Sequence, residues 1–374
     1  MMNFQRFATL IACLALIGVS FACSSSTSSE EEANFDRVSM LENYGQNLII
    51  PAYDSLQQSM NGLNTSANTF AETPTIENLE QVQQQLKEAR LAWQTANIFQ
   101  FGPAGMQTLR ASLNTYPTDT TQINGNIESG NYTLGTIDNQ AAVGFPATGY
   151  LLHGLDSSNE EILLQYTADT NAENRTSYLL DNIQFMKEKV DAVTNEWKSS
   201  GGDYIATFTS EENAGTDVGS SLGMLVNAMV LHYERYLRDG KIGIPSGVRS
   251  AGVPRPKATE AYYAGYSLEL AIANAEATKR LFLGTGLNGS DGPGLAENLS
   301  ALDASDLAAQ IENDLGAGIG TLEGLSDPLS QQIESNTESV TAAFQDLQQL
   351  ISLLKADMSS ILGVTITFQD NDGD

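Results

Sequence analysis

Histidine is scarce in this chain. His153 and His232 are the only two in 374 residues, and they bound any metal or acid–base chemistry. A zinc hydrolase of the His-Glu-x-x-His kind needs two histidines one helical turn apart, with the glutamate as base; that spacing is absent. His232 and Glu234 stand two positions apart, so on a helix their side chains diverge by about 200°. Glu234 and Arg238 are spaced for an i,i+4 ion pair. The two histidines can share an ion only if the fold brings distant segments together; otherwise each is a hydrogen-bonded structural residue. Nucleophilic chemistry has no local signature either, because the Gly-x-Ser-x-Gly elbow is missing and both cysteines, Cys13 and Cys23, lie near the N-terminus. Arg235, Arg238, Asp239 and Lys241 form the densest charge cluster. It suits either a helix C-terminus, where cations are favoured, or an anionic ligand.

A second informative stretch is Gly144–Gly154, GFPATGYLLHG. Glycine before an aromatic residue and proline suggests a helix start, with Pro146 at the first helical position where its missing N–H costs little. Leu151 and Leu152 then enter the core, and Asp156 is placed to accept a hydrogen bond near the helix end. Three further blocks accompany it: Phe99-Gln100-Phe101-Gly102-Pro103-Ala104, Leu113 to Asp119, and Leu231-His232-Tyr233-Glu234-Arg235-Tyr236-Leu237-Arg238-Asp239-Gly240-Lys241 running on to Pro245. Together these resemble the imelysin-like family. Its signature is Gly-x-His-x-x-Glu followed by an aromatic-Leu-Leu-aromatic-Gly tail. Gly144, Tyr150-Leu151-Leu152 and Gly154 match the frame. Pro146 stands in place of the motif histidine and Gly149 in place of the glutamate, and neither side chain offers a lone pair to a metal or proton. Where relatives often carry a carboxylate after the Phe-x-Phe-Gly-Pro turn, this chain has Gly105 and Met106.

The resemblance implies an all-α fold of two four-helix-bundle-like domains joined at a central cleft. It also implies two activities, since the family carries a peptidase label and is linked with iron uptake. Three readings follow: a non-enzymatic binding or accessory component of iron uptake, a metallopeptidase, or a metal-free module docking on an outer-membrane transporter. Loss of the motif side chains speaks against the second. No catalytic residue is assigned. The candidate cleft residues are Arg110, Tyr116, His153, Asp156, His232, Glu234, Arg238 and Lys241, beside the motif-equivalent Gly144, Pro146 and Gly149. Iron or another divalent metal is the cofactor the family suggests, though the motif does not support it.

The elements that must position these residues are helical. Leu79, Val82, Leu86, Ala89, Trp93 and Ala96 recur at three- and four-residue steps, as do Leu179, Ile183, Met186, Val190, Val193 and Trp197, and again Val340, Phe344, Leu347, Ile351, Leu354, Met358 and Ile361. Each pattern is one apolar stripe that needs a partner, and such seams suit bundles. A first helix is expected over about Asn34–Met60, bent at Pro51, with others near Gly219–Leu237, Lys257–Leu283 and Ala304–Leu315. Phe101–Val143 and Gly240–Pro256 read as long loops, which inside a compact domain are usually functional. The coarse boundaries are 35–200 and 201–365, the two together, 35–365, being imelysin-like.

Composition narrows the setting. A formal net charge of −28 argues against nucleic acid and against adhesion to anionic lipid, both of which require Lys and Arg. Residues 1–22 carry Arg6 and then an apolar run to Ala22, shorter than the ~20 residues of a spanning helix. Ser20-Phe21-Ala22-Cys23 resembles a lipobox, so residues 1–22 are read as a lipoprotein signal peptide and Cys23 as the lipid attachment site. Residues 23–34 then form a polar, acidic tether of disorder-prone composition. The expected place is the cell envelope of a Gram-negative bacterium, at the outer membrane or cell surface, with membrane contact through the lipid alone and an iron-uptake or outer-membrane transport component as partner. No second cysteine would remain after cleavage, so no disulfide can form within the mature chain.

Overall fold

Proline at position 51 governs the first long helical stretch of the computed structural model, which describes residues 35–369. Asp36 caps a short helix, Arg37–Asn43, by accepting the Ser39 N–H at 2.9 Å. The chain then widens into a π-helical turn over Tyr44–Ile49 before helix α1, Ile50–Glu72, with Pro51 in its first turn. A proline withdraws one N–H and crowds the carbonyl one turn earlier. Widening the helix just before it accommodates both effects. Helix α1 runs beyond the expected end at Met60, because Leu56, Met60, Leu63, Ala67 and Phe70 prolong the buried stripe for three more turns.

Helix α2, Ile76–Ala96, starts on a Thr75 cap and buries every apolar position read from the sequence. Short helices then occupy the stretch read as a loop: Pro103–Met106, α3 (Leu109–Leu113), Thr120–Ser129 and a 3-10 turn at Ile137–Ala142. Helix α4, Gly144–His153, lies against α2 and against α5, Ala172–Trp197. Beyond it come α6 (Ser221–Leu231), a π-helix over His232–Gly243, α7 (Ser267–Leu283), α8 (Ser305–Glu323) and α9 (Thr337–Ser352). The last stripe continues through a π turn, Leu353–Met358, to Leu362.

Helices α1, α2, α4 and α5 pack on one another; α7, α8, α9 and the long π-helix do likewise, and α2 touches α7. One apolar cluster runs from Met40 to Val364 through both sets. The helix expected from Lys257 begins only at Ser267. Pro254 and Pro256 restrict the backbone before it, and Gly265 takes a φ of +76°, so 257–266 form turns that carry Glu260. Among the described residues there is no strand, and no helix is long and apolar enough to cross a membrane. The signal peptide, Cys23 and the acidic tether lie outside the described residues.

Candidate functional site

The glycines of helix α4 admit neighbours that any side chain would repel. Gly144 has a φ of +86°, and a Cβ there would lie 2.4 Å from the Leu113 carbonyl oxygen. Its N–H donates to Asn182 Oδ1 at 2.8 Å, while Asn182 Nδ2 donates to the Gly144 carbonyl (3.1 Å) and to Thr148 Oγ1 (2.9 Å). The helix start is thus clamped between α3 and α5. Because α4 begins at Gly144, Pro146 is its third residue instead of its first. At Gly149 the close neighbour is a cation: a Cβ there would come 2.6 Å from Arg90 Nη2, which donates to the Phe145 carbonyl.

Arg90 belongs to a polar stripe on α2, with Gln94 and Asn97 following at four- and three-residue steps. All three are buried, and Gln94 and Asn97 anchor a hydrogen-bonded core. Gln94 Nε2 donates to Glu260 Oε1 at 3.0 Å and Gln94 Oε1 accepts from Lys241 Nζ at 2.8 Å. Lys241 also pairs directly with Glu260, and Asn114 Nδ2 donates to Glu260 Oε1 at 2.8 Å. Burial alone would push the Glu260 carboxyl up; Lys241, Gln94 and Asn114 outweigh it and hold it below its ordinary value.

His232 sits at the other end of this network. Asn274 Nδ2 donates to the Gln94 carbonyl at 2.8 Å, which leaves Asn274 Oδ1 to accept from His232 Nε2 at 2.7 Å. The remaining ring nitrogen, Nδ1, accepts from Arg110 Nη2 at 3.2 Å. Burial, then the charges of Arg110 and Lys241, hold His232 well below the usual histidine range, so the ring is neutral. Both ring nitrogens are engaged. The shared metal ligation by His153 and His232 considered from the sequence is therefore not available, and among the described residues no group of three His, Cys, Asp or Glu could hold a metal ion.

Arg110 is fixed on its other side by Asn97, donating to Oδ1 at 2.8 Å and to the carbonyl at 2.6 Å, and its Cζ lies 3.6 Å from the centre of the Tyr236 ring. This stacked guanidinium opens onto a cleft of about 650 Å³ whose wall includes Tyr116, Tyr236, Arg235 and Arg255. Gly240 lets the cleft close tightly here, since a Cβ at that position would lie 3.2 Å from the Tyr116 hydroxyl. Burial pushes that hydroxyl well above the phenolic range, so it is a neutral donor. A smaller chamber of about 240 Å³ lies on the far side of Tyr116 and Pro117, lined by Arg90, Pro146, Gly149, Glu260, Tyr262 and Tyr263.

The fold thus gathers Arg110, Tyr116, His232 and Lys241, and separately places His153 on the same helix as Pro146 and Gly149. Burial, then the charge of Arg90, pulls His153 down to about 4. Three candidates point elsewhere. Asp156 is exposed and caps the Ser157 N–H at 2.8 Å. Glu234 is buried with Lys355 at 3.2 Å. Arg238 is buried against α9, bonding to Gln348 with its Cζ 5.3 Å from the Phe344 ring centre. The charge cluster around Gly240 caps no helix end as a unit, because the π-helix sends its members in different directions. Arg90, Gln94, Asn114, Glu260 and Asn274 escaped the sequence reading. The signal for two of them was there, as Arg90 and Gln94 break an otherwise apolar face beside Trp93.

The profile of the imelysin family, peptidase M75, matches residues 49–355. The chain belongs to the imelysin family. Iron-regulated protein A of Synechococcus elongatus is 28% identical over 79 residues, which is 21% of this chain and 22% of that protein, so the match spans about a fifth of the curated relative. Among solved structures, a Parabacteroides distasonis protein named as an iron-regulated protein A precursor superposes with a TM-score of 0.71 at 16% identity, covering 91% of this chain and 97% of its own. An imelysin-like protein from Psychrobacter arcticum gives 0.68 at 16% identity, covering 89% and 97%. These likenesses bear out the all-helical fold.

Within this imelysin, the positions that resemble the family motif offer nothing to a metal. Pro146 and Gly149 carry no donor atoms, and the nearest charged group to Gly149 is the Arg90 guanidinium, which repels a cation. The residues present do not fit a metal centre.

Proposed function

We propose that this imelysin is a non-enzymatic, lipid-anchored binding component of an iron-related envelope system, and that its cleft holds an anionic ligand. The supporting observation is the lining of the larger cleft. Three arginines, Arg110, Arg235 and Arg255, face it together with the phenols of Tyr116 and Tyr236, and no Asp, Glu, His or Cys is among its lining residues. In a chain of net charge −28, a carboxylate-free cleft with three guanidinium groups is a selective place for negative charge. Leu109, Ile244 and Ala258 supply apolar wall, which suits a ligand with a partly apolar body. The iron link draws on the relatives named iron-regulated protein A. The anchor draws on Cys23 and the residues before it. A peptidase reading has no group of three metal ligands to work with among the described residues.

The test is calorimetric binding of citrate and ferric citrate to the purified protein, alongside peptide hydrolysis with and without a chelator. Binding that weakens ten-fold or more in Arg110→Met and Arg255→Met, with no chelator-sensitive hydrolysis, is the expected result. Hydrolysis that is abolished by a chelator and restored by zinc would overturn the non-enzymatic reading. Failure of both anions to bind would overturn the ligand class. Transcript levels that stay flat under iron starvation would remove the iron link.

A further inference from the structure

The smaller chamber beside helix α4 has its own unsatisfied chemistry. Arg90 is 1% exposed, yet only its Nη2 makes a well-formed hydrogen bond, to the Phe145 carbonyl. Its Nε and Nη1 are buried and make none, and Tyr266, whose hydroxyl interacts with the guanidinium, has its ring centre 5.8 Å from Arg90 Cζ. A guanidinium cannot shed its proton to escape this position. A buried donor left unmade is costly, and more so when charged. The neighbouring charges do not answer it. Glu260 is the carboxylate lining the chamber, and it already receives Lys241, Gln94 and Asn114. Arg90 and Lys241 against Glu260 leave one buried positive charge in excess. Arg110, a further cation, opens onto the larger cleft and belongs to that site.

We propose that the chamber between Gly149 of helix α4 and the turn at Thr259–Tyr263 binds a small monocarboxylate on Arg90. One negative charge balances the buried excess, and the exposed Lys257, which also lines the chamber, draws anions toward it. A carboxylate also matches the planar donor edge of a guanidinium. Tyr262 and Tyr263 line the same space and bring further hydroxyl groups. Gly149 makes room: a side chain there would enter the approach to Arg90, as the 2.6 Å distance from its Cβ position to Nη2 shows. This site is separate from the anion cleft proposed above, and neither depends on the other.

The experiment is thermal denaturation of the full protein in acetate, with phosphate and chloride at matched ionic strength. At ten-fold excess over the dissociation constant, acetate is expected to raise the melting temperature by about 2 °C, and the other two anions are not. The shift is expected to persist in Arg255→Ala, which alters only the larger cleft, and to vanish in Arg90→Met. Because Arg90→Met also loses the Phe145 bond and could fold poorly, Gly149→Glu is the second arm. It places a tethered carboxylate beside Arg90, so it should melt higher than Gly149→Ala and no longer respond to acetate. A shift common to all anions, no shift at all, or an acetate response retained in Arg90→Met or Gly149→Glu would overturn the assignment.

Discussion

Replacing Lys241 by methionine tests the polar core directly. Lys241 and Glu260 are 3% exposed each and pair with one another, with Gln94 bridging them through both ends of its amide. Methionine fills the lysine volume but leaves Glu260 Oε2 without its cation and Gln94 Oε1 without its donor. Removing one partner of a buried ion pair costs about 3–5 kcal/mol, which for a domain of this size lowers the melting temperature by about 4–7 °C. The pH dependence carries the sharper prediction. In the wild type the Glu260 carboxyl sits below its ordinary value of 4.5. Its contribution is therefore present above that pH and is lost as the pH falls through the folded value. Without Lys241, burial, the largest influence, is opposed only by the Gln94 and Asn114 hydrogen bonds and lifts the carboxyl above its unfolded value, so the native state takes up the proton first. The Lys241→Met penalty should then shrink as the pH drops from 7.5 to 5.0. Urea denaturation of wild type, Lys241→Met and the double variant Lys241→Met/Glu260→Gln at both values reads this out. The double variant should recover part of the loss at pH 7.5. A penalty under about 1 kcal/mol, or one that does not change with pH, would refute the account of a compensated buried carboxylate.

His153 titrates near 4 in the folded protein and near 6.5 unfolded, so the wild type should lose stability as the pH falls from 6.5 to about 4. The slope over that window should flatten in His153→Phe, as measured by melting temperature in a buffer series. His232, neutral and bonded at both nitrogens, should show no imidazole titration between pH 5.5 and 8 by NMR; a midpoint in that range would contradict the neutral ring held by burial and the charges of Arg110 and Lys241. Gly144→Ala places a Cβ against backbone at a φ of +86° and should cost about 2 kcal/mol or more by chemical denaturation; a smaller loss would mean that α3 yields easily.

The apolar stripes of α2, α5 and α9 were readable because spacing alone specifies a buried helical face, and the buried positions match those stripes up to Met358; beyond it Ile361 is exposed and Leu362 takes the core position. The extent of α1 was not: Pro51 suggested a bend, whose outcome was a local widening, and the stripe continues past the expected end at Met60 to Glu72. At the site, Arg110, Tyr116, His232 and Lys241 were among the expected cleft residues and do come together. Glu234 and Arg238 were expected with them, but an α-helical template does not describe a π-helix. Glu260 and Asn274 went unread because a buried polar residue announces itself only when its neighbours are known. Glu260 sits in a turn that reads as helix, and Asn274 shares the face of Ala271 and Thr278 with no sequence cue to its partner on α2.

The π-helix over His232–Gly243 has a consequence for how this chain can vary. Its wide turns aim His232 at Asn274, Glu234 at Lys355, Arg238 at α9 and Lys241 at Glu260. Deleting a single residue would let the segment relax toward the α form, which advances by about 100° per residue. Every contact downstream of the deletion would then rotate out of alignment at once. Many substitutions along the segment disturb one partner at a time, whereas a one-residue change in its length disturbs all that follow. The segment is therefore a place where insertions and deletions are excluded more strictly than changes of residue type.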